Sequence, residues 1–251
     1  MFVDDILITP ALKRSEISDE GRTEALSKID SFSDCRFSAS PFDALEGRNM
    51  RKIIAITHLS LDGIMQGPGG PEEDPSNGFT HGGWTSPFRD EVGGQAVRET
   101  IAGEFDLLLG RRTYENFAAF WPNQDDNPIG KAFNRATKYV VTRSLDRLVW
   151  EKSQRIDGDV IGELRRLQAA GGPDLQIWGS SALLQTLIAA DLVDEHRIML
   201  FPVVLGQGKR LFENGVPARA FTLVETRSTP TGVLLNIYRH AGPIPSDGSS
   251  R

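Results

Sequence analysis

Short apolar runs recur along the chain between residues 50 and 240 and alternate with segments of helical period. Seven runs predict β-strands, at residues 52–57, 105–110, 138–142, 175–179, 197–205, 221–228 and 232–240. The early runs, such as "FDLLLG" at 105–110, do not alternate apolar with polar positions. We therefore expect these strands to be buried on both faces of a sheet.

Four segments between the strands have the apolar spacing of amphipathic helices, at residues 90–103, 113–121, 159–172 and 181–192. Strands and helices that alternate at this spacing predict a mostly parallel sheet with helices on both faces. The last two strands are joined by "TPTG", which is a turn signal and predicts an antiparallel hairpin at the edge of the sheet. The predicted fold class is therefore α/β, with three layers, a mostly parallel central sheet and a C-terminal antiparallel hairpin.

The two ends of the chain differ from this central part. Residues 1–49 hold ten acidic and six basic residues and show no sustained period after "DDILIT", whereas a strand pattern begins abruptly after Met50. We interpret residues 1–49 as a disordered leader or an upstream-start extension, with a small ordered accessory element as the alternative. We expect one domain at 50–241 and a flexible tail rich in Pro, Gly and Ser at 242–251.

Composition narrows the class of protein. The net charge of −6 argues against nucleic acid or an anionic membrane as a partner. The single cysteine, Cys35, excludes an intramolecular disulfide framework and suits a reducing cytoplasm. No run approaches the ~20 apolar residues of a membrane span, and the four histidines lack metal-ligand spacing. We expect a cytoplasmic protein that binds a small molecule, with no metal and with any anion site built locally from arginines.

The segment "FDLLLGRRTYENF" at 105–117 has two adjacent arginines between the end of a predicted strand and the start of a predicted helix. A helix N-terminus already has partial positive charge and unpaired N–H groups, so Arg111 and Arg112 at this place indicate a bound anion. Gly110 permits close approach of the backbone to a ligand. Thr113 is predicted to begin and cap the helix.

Two further strand ends have a similar composition. The segment Thr142-Arg143-Ser144 follows the third strand, and Gly179-Ser180-Ser181 follows the fourth. Ligands of such sheets bind beyond the carboxyl ends of the strands. Three such turns, two of them with arginine, predict a dinucleotide with an extra 2′-phosphate, because guanidinium groups bind phosphate in a bidentate manner. The alternative is that the arginines form surface ion pairs and that Gly179 merely ends a strand.

Two segments also resemble known families. "LLLGRRTYENF" resembles the cofactor-binding strand-turn-helix of dihydrofolate reductase. "IWGSSALLQTLIAADLVDEHRIMLFPVVLGQGKRLF" resembles the reductase domain of bacterial riboflavin biosynthesis and its small stand-alone relatives. The resemblance covers residues 50–240 and implies a dihydrofolate reductase-like fold with NADPH as cofactor. It implies cofactor contacts from Gly110, Arg111, Arg112, Thr113, Thr142, Arg143, Ser144, Gly179, Ser180, Ser181 and Leu183.

Within that set, the resemblance implies one role for each turn. Arg111 or Arg112 would contact the 2′-phosphate. Thr113 and the pair Ser180-Ser181 would contact the diphosphate, and the segment 142–144 would lie near the adenosine.

The same resemblance implies a substrate side. "LSLDGIM" at 59–65 would lie over the nicotinamide, with Asp62 as a candidate catalytic residue; the alternative is that this aspartate only forms a turn before Gly63. Asp90 and Glu91 are the other candidate catalytic carboxylates. They lie about one helical turn earlier than the folate-binding carboxylate of dihydrofolate reductases, and the alternative is that they are acids favoured by the helix dipole.

Four further positions are implied on the substrate side, namely Thr57, Met65, Trp84 and Gly206. Trp84 would either stack on a flat heterocycle or cover the sheet. Gly206 lies in "LGQGKRLF", which would contact the substrate, contact a dimer partner or form a plain turn.

The leading hypothesis is an NADPH-dependent reductase of the riboflavin-biosynthesis type, similar to 5-amino-6-(5-phosphoribosylamino)uracil reductase. Such an enzyme would transfer a hydride to a pterin-like or aminopyrimidine-like molecule. A genuine dihydrofolate reductase and a catalytically inactive NADPH-binding sensor are the alternatives. The riboflavin-type relatives form homodimers, so the resemblance implies a homodimer here.

Overall fold

The computed structural model describes residues 50–245, and the predictions made for residues 1–49 and for the chain after residue 245 lie outside this range. Within it, eight strands form one sheet in the order β4-β3-β2-β5-β1-β6-β8-β7. The strands are β1 Ile53–Ser60, β2 Phe105–Gly110, β3 Lys138–Val141, β4 Ser153–Ile156, β5 Asp174–Trp178, β6 Glu195–Phe201, β7 Phe221–Ser228 and β8 Leu234–His240. The α-helices are α1 Glu91–Ile101, α2 Arg111–Phe120, α3 Pro128–Arg135, α4 Val160–Ala169 and α5 Ser181–Ala189.

The sheet is parallel from β4 to β6 and antiparallel at its other end. All pairs among β1 to β6 are parallel, whereas β8 is antiparallel to β6 and β7 is antiparallel to β8. The N–H of Gly232 donates to the carbonyl of Thr229 at 3.0 Å in the turn between β7 and β8. The predicted α/β class, with a mostly parallel sheet and a C-terminal antiparallel hairpin, is confirmed.

Helices cover the sheet on both faces, as β2 shows residue by residue. Leu107 and Leu109 pack with Phe133 of α3 on one face, in a cluster that also contains residues of α1 and α2. Leu108 packs with Leu164 and other residues of α4 and α5 on the opposite face. All three leucines are fully buried. A strand covered on both faces needs apolar residues at every position, which explains the unbroken apolar run.

Several element boundaries differ from the prediction; β1, for example, runs three residues beyond the predicted end at 57. The predicted strand at 197–205 is β6 and ends at Phe201, because Pro202 lacks the N–H that would continue the ladder. The predicted helix at 113–121 begins two residues earlier, and Gly110 occupies the position before it. The prediction that Thr113 caps this helix is therefore wrong, since Thr113 lies within the first turn.

Two elements were not predicted. Helix α3 begins at Pro128 after Asn127, whose side chain accepts the N–H of Ile129 at 2.9 Å. An Asn-Pro pair at a helix start is a recognisable signal that could have located this helix. The edge strand β4 is short and mostly polar, so it has no apolar pattern from which it could have been predicted.

None of the helices within residues 50–245 is long and apolar enough to cross a membrane. In the same part of the chain, no three His, Cys, Asp or Glu side chains come together in a way that could hold a metal ion.

Candidate active site

Two of the predicted turns meet at the carboxyl edge of the sheet, because β2 and β5 are neighbours. The hydroxyl of Ser180 accepts the N–H of Gly110 at 2.9 Å and donates to the hydroxyl of Thr113 at 2.8 Å. These bonds connect the turn after β5 to the first turn of α2. Gly110 has no side chain to cap α2, so the helix presents its N-terminal N–H groups at this junction.

The turn after β5 has an unusual backbone. Gly179 has a φ of 80°, and Ser180 has a φ of 61° with a ψ of 56°, which is the left-handed region. A residue other than glycine in this region is uncommon, and such residues cluster at functional sites. A Cβ on Gly179 would lie 3.8 Å from the Thr113 hydroxyl oxygen, in the space between the two turns. The junction therefore brings backbone and hydroxyl groups of the two turns together.

Two further predicted cofactor residues border the same junction. Leu183 is buried in the first turn of α5. A Cβ added to Gly110 would lie 3.6 Å from the Cβ of Leu183. Ser181 is the first residue of α5 and is partly buried.

A cavity of about 310 Å³ opens beyond the ends of β3 and β4. It is lined by Arg111, Val141, Thr142, Arg143, Ser144, Ile156, Asp157 and Val160. All of the residues predicted near the adenosine therefore meet one of the two predicted arginines here. The Thr142 hydroxyl accepts the N–H of Ser144 at 3.3 Å, which holds the loop in shape. The carboxylate of Asp157 is paired with Arg155 at 2.9 Å, so the negative charge that would repel a bound anion is balanced by this arginine.

The two adjacent arginines point to different places. Arg111 lines the cavity and pairs with Glu115 one turn further along α2, at 2.8 Å. Arg112 lies 3.7 Å from Asp74, a carboxylate that also pairs with Lys209. Both arginines therefore form surface ion pairs, as the alternative interpretation expected. Arg111 alone of the two also faces the cavity.

Asp74 belongs to a loop that the sequence analysis left unassigned. Residues 66–85 pack against α2, where the side-chain amide of Asn116 donates to the carbonyl of Glu73 at 3.0 Å. Burial alone would raise the pKa of Asp74, but hydrogen bonds from Lys209 and Ser76 lower it below its usual value. The signal for this loop is the run "GPGGPEEDPSNG", which combines turn residues with acids.

Asp62 connects two loops at the ends of β1 and β6. Its carboxylate accepts the Ser60 hydroxyl at 2.6 Å and the N–H groups of Leu205 and Gly206 at 3.1 Å and 2.8 Å. Burial alone would raise the pKa of Asp62, but these hydrogen bonds lower it below its usual value. A carboxyl held ionised in this way accepts hydrogen bonds and does not supply a proton at neutral pH. The structure thus gives Asp62 and Gly206 a shared contact.

The other two candidate carboxylates make structural contacts at the start of α1. Asp90 caps the helix by accepting the N–H of Gly93 at 2.8 Å and also accepts the Thr231 hydroxyl at 2.7 Å. These bonds lower the pKa of Asp90 to about 2. Glu91 is exposed and pairs with Arg98. This is the arrangement expected for helix first-turn acids, and it disfavours a folate-binding role.

The remaining substrate-side residues are buried. Trp84 packs edge-on against Phe201 at 5.3 Å between ring centroids, and its indole N–H donates to the carbonyl of Gln66 at 2.8 Å. Trp84 thus makes the contacts expected if it covers the sheet, which was the alternative to stacking on a heterocycle. Met65 is a core residue, and Thr57 is 2 % exposed with a hydroxyl that has no hydrogen-bond partner within residues 50–245. Substrate contact by these residues stays a prediction.

The comparison with protein families matches this arrangement. Residues 51–235 match the sequence model described as the RibD C-terminal domain. The chain belongs to the RibD C-terminal domain family. This match confirms the resemblance to the riboflavin-type reductase domain and makes the described part of the chain a RibD-type reductase domain.

Relatives of this RibD-type domain include small proteins of similar length. The chain is 28% identical over 200 residues to the uncharacterized protein YyaP of Bacillus subtilis, which covers 76% of this chain and 96% of the relative. A crystal structure of a protein assigned to riboflavin biosynthesis, from Shewanella sp. PV-4, is similar with a TM-score of 0.55 at 21% identity, covering 76% of this chain and 99% of that one. RibD of Acinetobacter baumannii is similar with a TM-score of 0.50 at 13% identity, over 77% of this chain and 59% of that one. At these identities the two structures support the fold.

Proposed function

We propose that this protein is an NADPH-dependent reductase that transfers a hydride to a pterin-like or aminopyrimidine-like small molecule. The observation that carries the proposal is the position of the cavity and of the two connected turns along the carboxyl edge of the sheet. The cavity with Arg111 and Arg143 lies beyond β3 and β4, and the connected turns lie beyond the adjacent strands β2 and β5.

The residues present fit a dinucleotide with a 2′-phosphate. Arg111 and Arg143 would bind that phosphate at the cavity, since two guanidinium groups offer charge-assisted hydrogen bonds to it. Thr113, Ser181 and the N-termini of α2 and α5 would hold the diphosphate through hydroxyl and N–H donors. Gly179 places no side chain between the two turns, where a Cβ would lie 3.8 Å from the Thr113 hydroxyl oxygen. Bound NADPH would supply the hydride, and the protein would supply position and electrostatics.

The test compares the two neighbouring arginines. Arg111→Ala removes a cavity cation and should weaken NADPH binding about tenfold to a hundredfold while leaving NADH binding nearly unchanged. Arg112→Ala removes an equal charge one residue away that faces Asp74, so it is the matched control and should change NADPH affinity less than about threefold. Both are measured by titration at fixed salt. Equal affinity of the wild-type protein for NADPH and NADH would contradict the 2′-phosphate assignment.

The substrate class is tested by NADPH oxidation against a panel. The panel contains pterins, dihydrofolate and the ribosylaminopyrimidine of riboflavin synthesis. Because the contacts of Asp90 and Glu91 disfavour folate binding, we expect negligible turnover of dihydrofolate. Binding of NADPH without oxidation by any member would favour a sensor.

We also propose that the protein works as a homodimer in the cytoplasm, a compartment that suits its single cysteine. Near the antiparallel end of the sheet, the apolar side chains of Phe212, Leu223 and Leu234 are 43%, 49% and 41% exposed. Apolar patches of this kind mark contact surfaces, and two-fold pairing is the commonest form of homo-oligomer. Leu223→Lys should convert a dimer to a monomer in light scattering at micromolar concentration. A monomeric wild-type protein would contradict this proposal.

A further inference from the structure

The order of strands predicts where the reactive end of a dinucleotide would lie. The adenosine cavity lies beyond β3 and β4, the connected turns lie beyond β2 and β5, and the next strand is β1. A dinucleotide that runs along this edge in that order therefore reaches the end of β1 with its nicotinamide. This step rests on the proposed function.

His58 lies at this place on β1. β1 pairs with β5 up to Ile56 and Trp178, so His58 lies two residues beyond the last of these pairs, towards the carboxyl edge. His58 pairs with Met199 of β6, which belongs to the cluster that packs against α1. The imidazole is therefore on the α1 face of the sheet, opposite to Thr57.

The surroundings of His58 are aromatic and leave its nitrogens free. Its ring lies 5.6 Å from that of Phe201, which in turn contacts Trp84 and Phe88 edge-on at 5.3 Å and 6.0 Å. Within residues 50–245 no group forms a hydrogen bond with the imidazole. His58 is partly buried, unlike its fully buried neighbours Thr57 and Ser60 on β1.

Ser60, two residues further along β1, shows the contrast with a satisfied polar group. Its hydroxyl is buried and donates to Asp62 while it accepts the N–H of Ile64 at 2.8 Å. A polar side chain in an apolar setting is costly unless it gains a hydrogen bond. The one polar group near the end of this strand face without such a bond is His58.

We propose that His58 binds the substrate by a hydrogen bond to a nitrogen or oxygen of a flat aminopyrimidine or pterin ring that packs beside Phe201. Burial and the charge of Arg89 lower the pKa of His58 to about 4. The imidazole is then neutral at pH 7 and offers one donor and one acceptor, which matches the adjacent acceptor and donor groups of such rings. His58 thereby selects for neutral heterocycles with a polar edge.

The first test observes the imidazole directly. The full chain is labelled with 15N-histidine, the His58 signals are identified from their loss in His58→Gln, and pterin or 2,4-diaminopyrimidine is added with NADP⁺ present. We expect the His58 signals to move and those of His196 to stay. His196 is a matched internal control, because burial also lowers its pKa to about 4 but it lies on the opposite face of the sheet, against Phe221.

The second test separates substrate binding from folding. For the panel member that is oxidised fastest, His58→Leu should raise KM about tenfold, whereas His58→Gln, which keeps a donor and an acceptor, should stay within about threefold of wild type. Both variants should retain the wild-type Tm and NADPH affinity. Unmoved His58 signals at saturating probe, or equal KM values for His58→Leu and wild type, would overturn the proposal. Failure of the wild-type protein to bind NADPH would instead contradict the proposed function, which the cofactor titration detects separately.

Discussion

The two edges of the sheet use arginine in opposite ways. At the amino edge, Arg51 is 4% exposed, pairs with Asp106, donates to the carbonyl of Pro173 and lies 5.4 Å over the ring of Tyr139. At the carboxyl edge, Arg111, Arg112 and Arg143 are exposed, and two of them line a cavity. The same residue type thus stabilises the fold where it is buried among fixed partners and is open to a ligand where it is exposed.

Lys138 is a second buried cation at the amino edge. It is fully buried, donates to the carbonyls of Asn134 and Glu151 at 2.9 Å and 3.1 Å, and lies 4.3 Å from the ring centroid of Trp150. The carboxyl edge instead holds a serine in the left-handed region and a positive-φ glycine. Positive φ also occurs at the amino edge, at Lys152 and Asp191 before β4 and β6, so the contrast between the edges lies in the burial of their cations rather than in backbone strain.

The largest effect should come from breaking the amino-edge network. Asp106→Asn leaves the buried guanidinium of Arg51 without a counter-charge, which should cost about 3–5 kcal/mol of unfolding free energy and lower the Tm by roughly 10 °C. Thermal unfolding followed by circular dichroism measures it. Glu91→Gln removes an exposed ion pair and is the control, with no measurable change expected. A wild-type Tm for Asp106→Asn would remove the distinction between the two edges.

The second effect should appear at the carboxyl edge in cofactor binding. Gly179→Ala places a Cβ between the two connected turns at a φ of 80°. It should weaken NADPH binding about tenfold or more and cost about 1–2 kcal/mol of stability from backbone strain. Gly103→Ala is the matched control, because a Cβ there meets nothing within 4 Å and the φ is not positive. A loss of stability without a loss of affinity would show that this junction serves folding alone.

The third effect concerns the Asp62 contact between loops. Asp62→Asn turns an acceptor-only group into an amide, and it should lower NADPH-dependent turnover about tenfold by loosening the segment at 205–206. Asp90→Asn should act on Tm more than on turnover, since Asp90 caps the start of α1, and Glu91→Gln should change neither, since its ion pair is exposed. Wild-type turnover in all three variants would leave catalysis without a carboxylate and favour the sensor.

The smallest effect should be a pH dependence at the amino edge. Burial lowers the pKa of Lys138 to about 8. Between this value and the usual lysine pKa, the unfolded chain binds the proton more fully than the folded one, so the contribution of Lys138 to stability rises as the pH increases from about 8 to about 10. Urea unfolding of wild type and Lys138→Met at pH 7, 8, 9 and 10 measures the difference. A constant difference across this range would contradict the assignment.

Local patterns were enough to predict most elements of the fold. Unbroken apolar runs marked β1 and β2 because strands buried on both faces exclude polar residues, and "TPTG" marked the final turn because of its backbone requirements. The turn residues Gly110 and Gly179 were also found from local chemistry. The edge strand β4 and the start of α2 at Arg111 were missed, since a short polar edge strand has no apolar period and a glycine cap has no side-chain signal.

Tertiary structure decided what these local signals could not. The pairing of β2 with β5 joins residues 70 positions apart and places Ser180 against Gly110, a neighbour relation that no local pattern contains. Arg111 and Arg112 looked equivalent in sequence, but successive residues of a helix point about 100° apart. One therefore faces the cavity and the other faces Asp74. Local sequence determined which residue types stand at the candidate site, whereas the pairing of strands decided which of them face the cavity and which contact the rest of the fold.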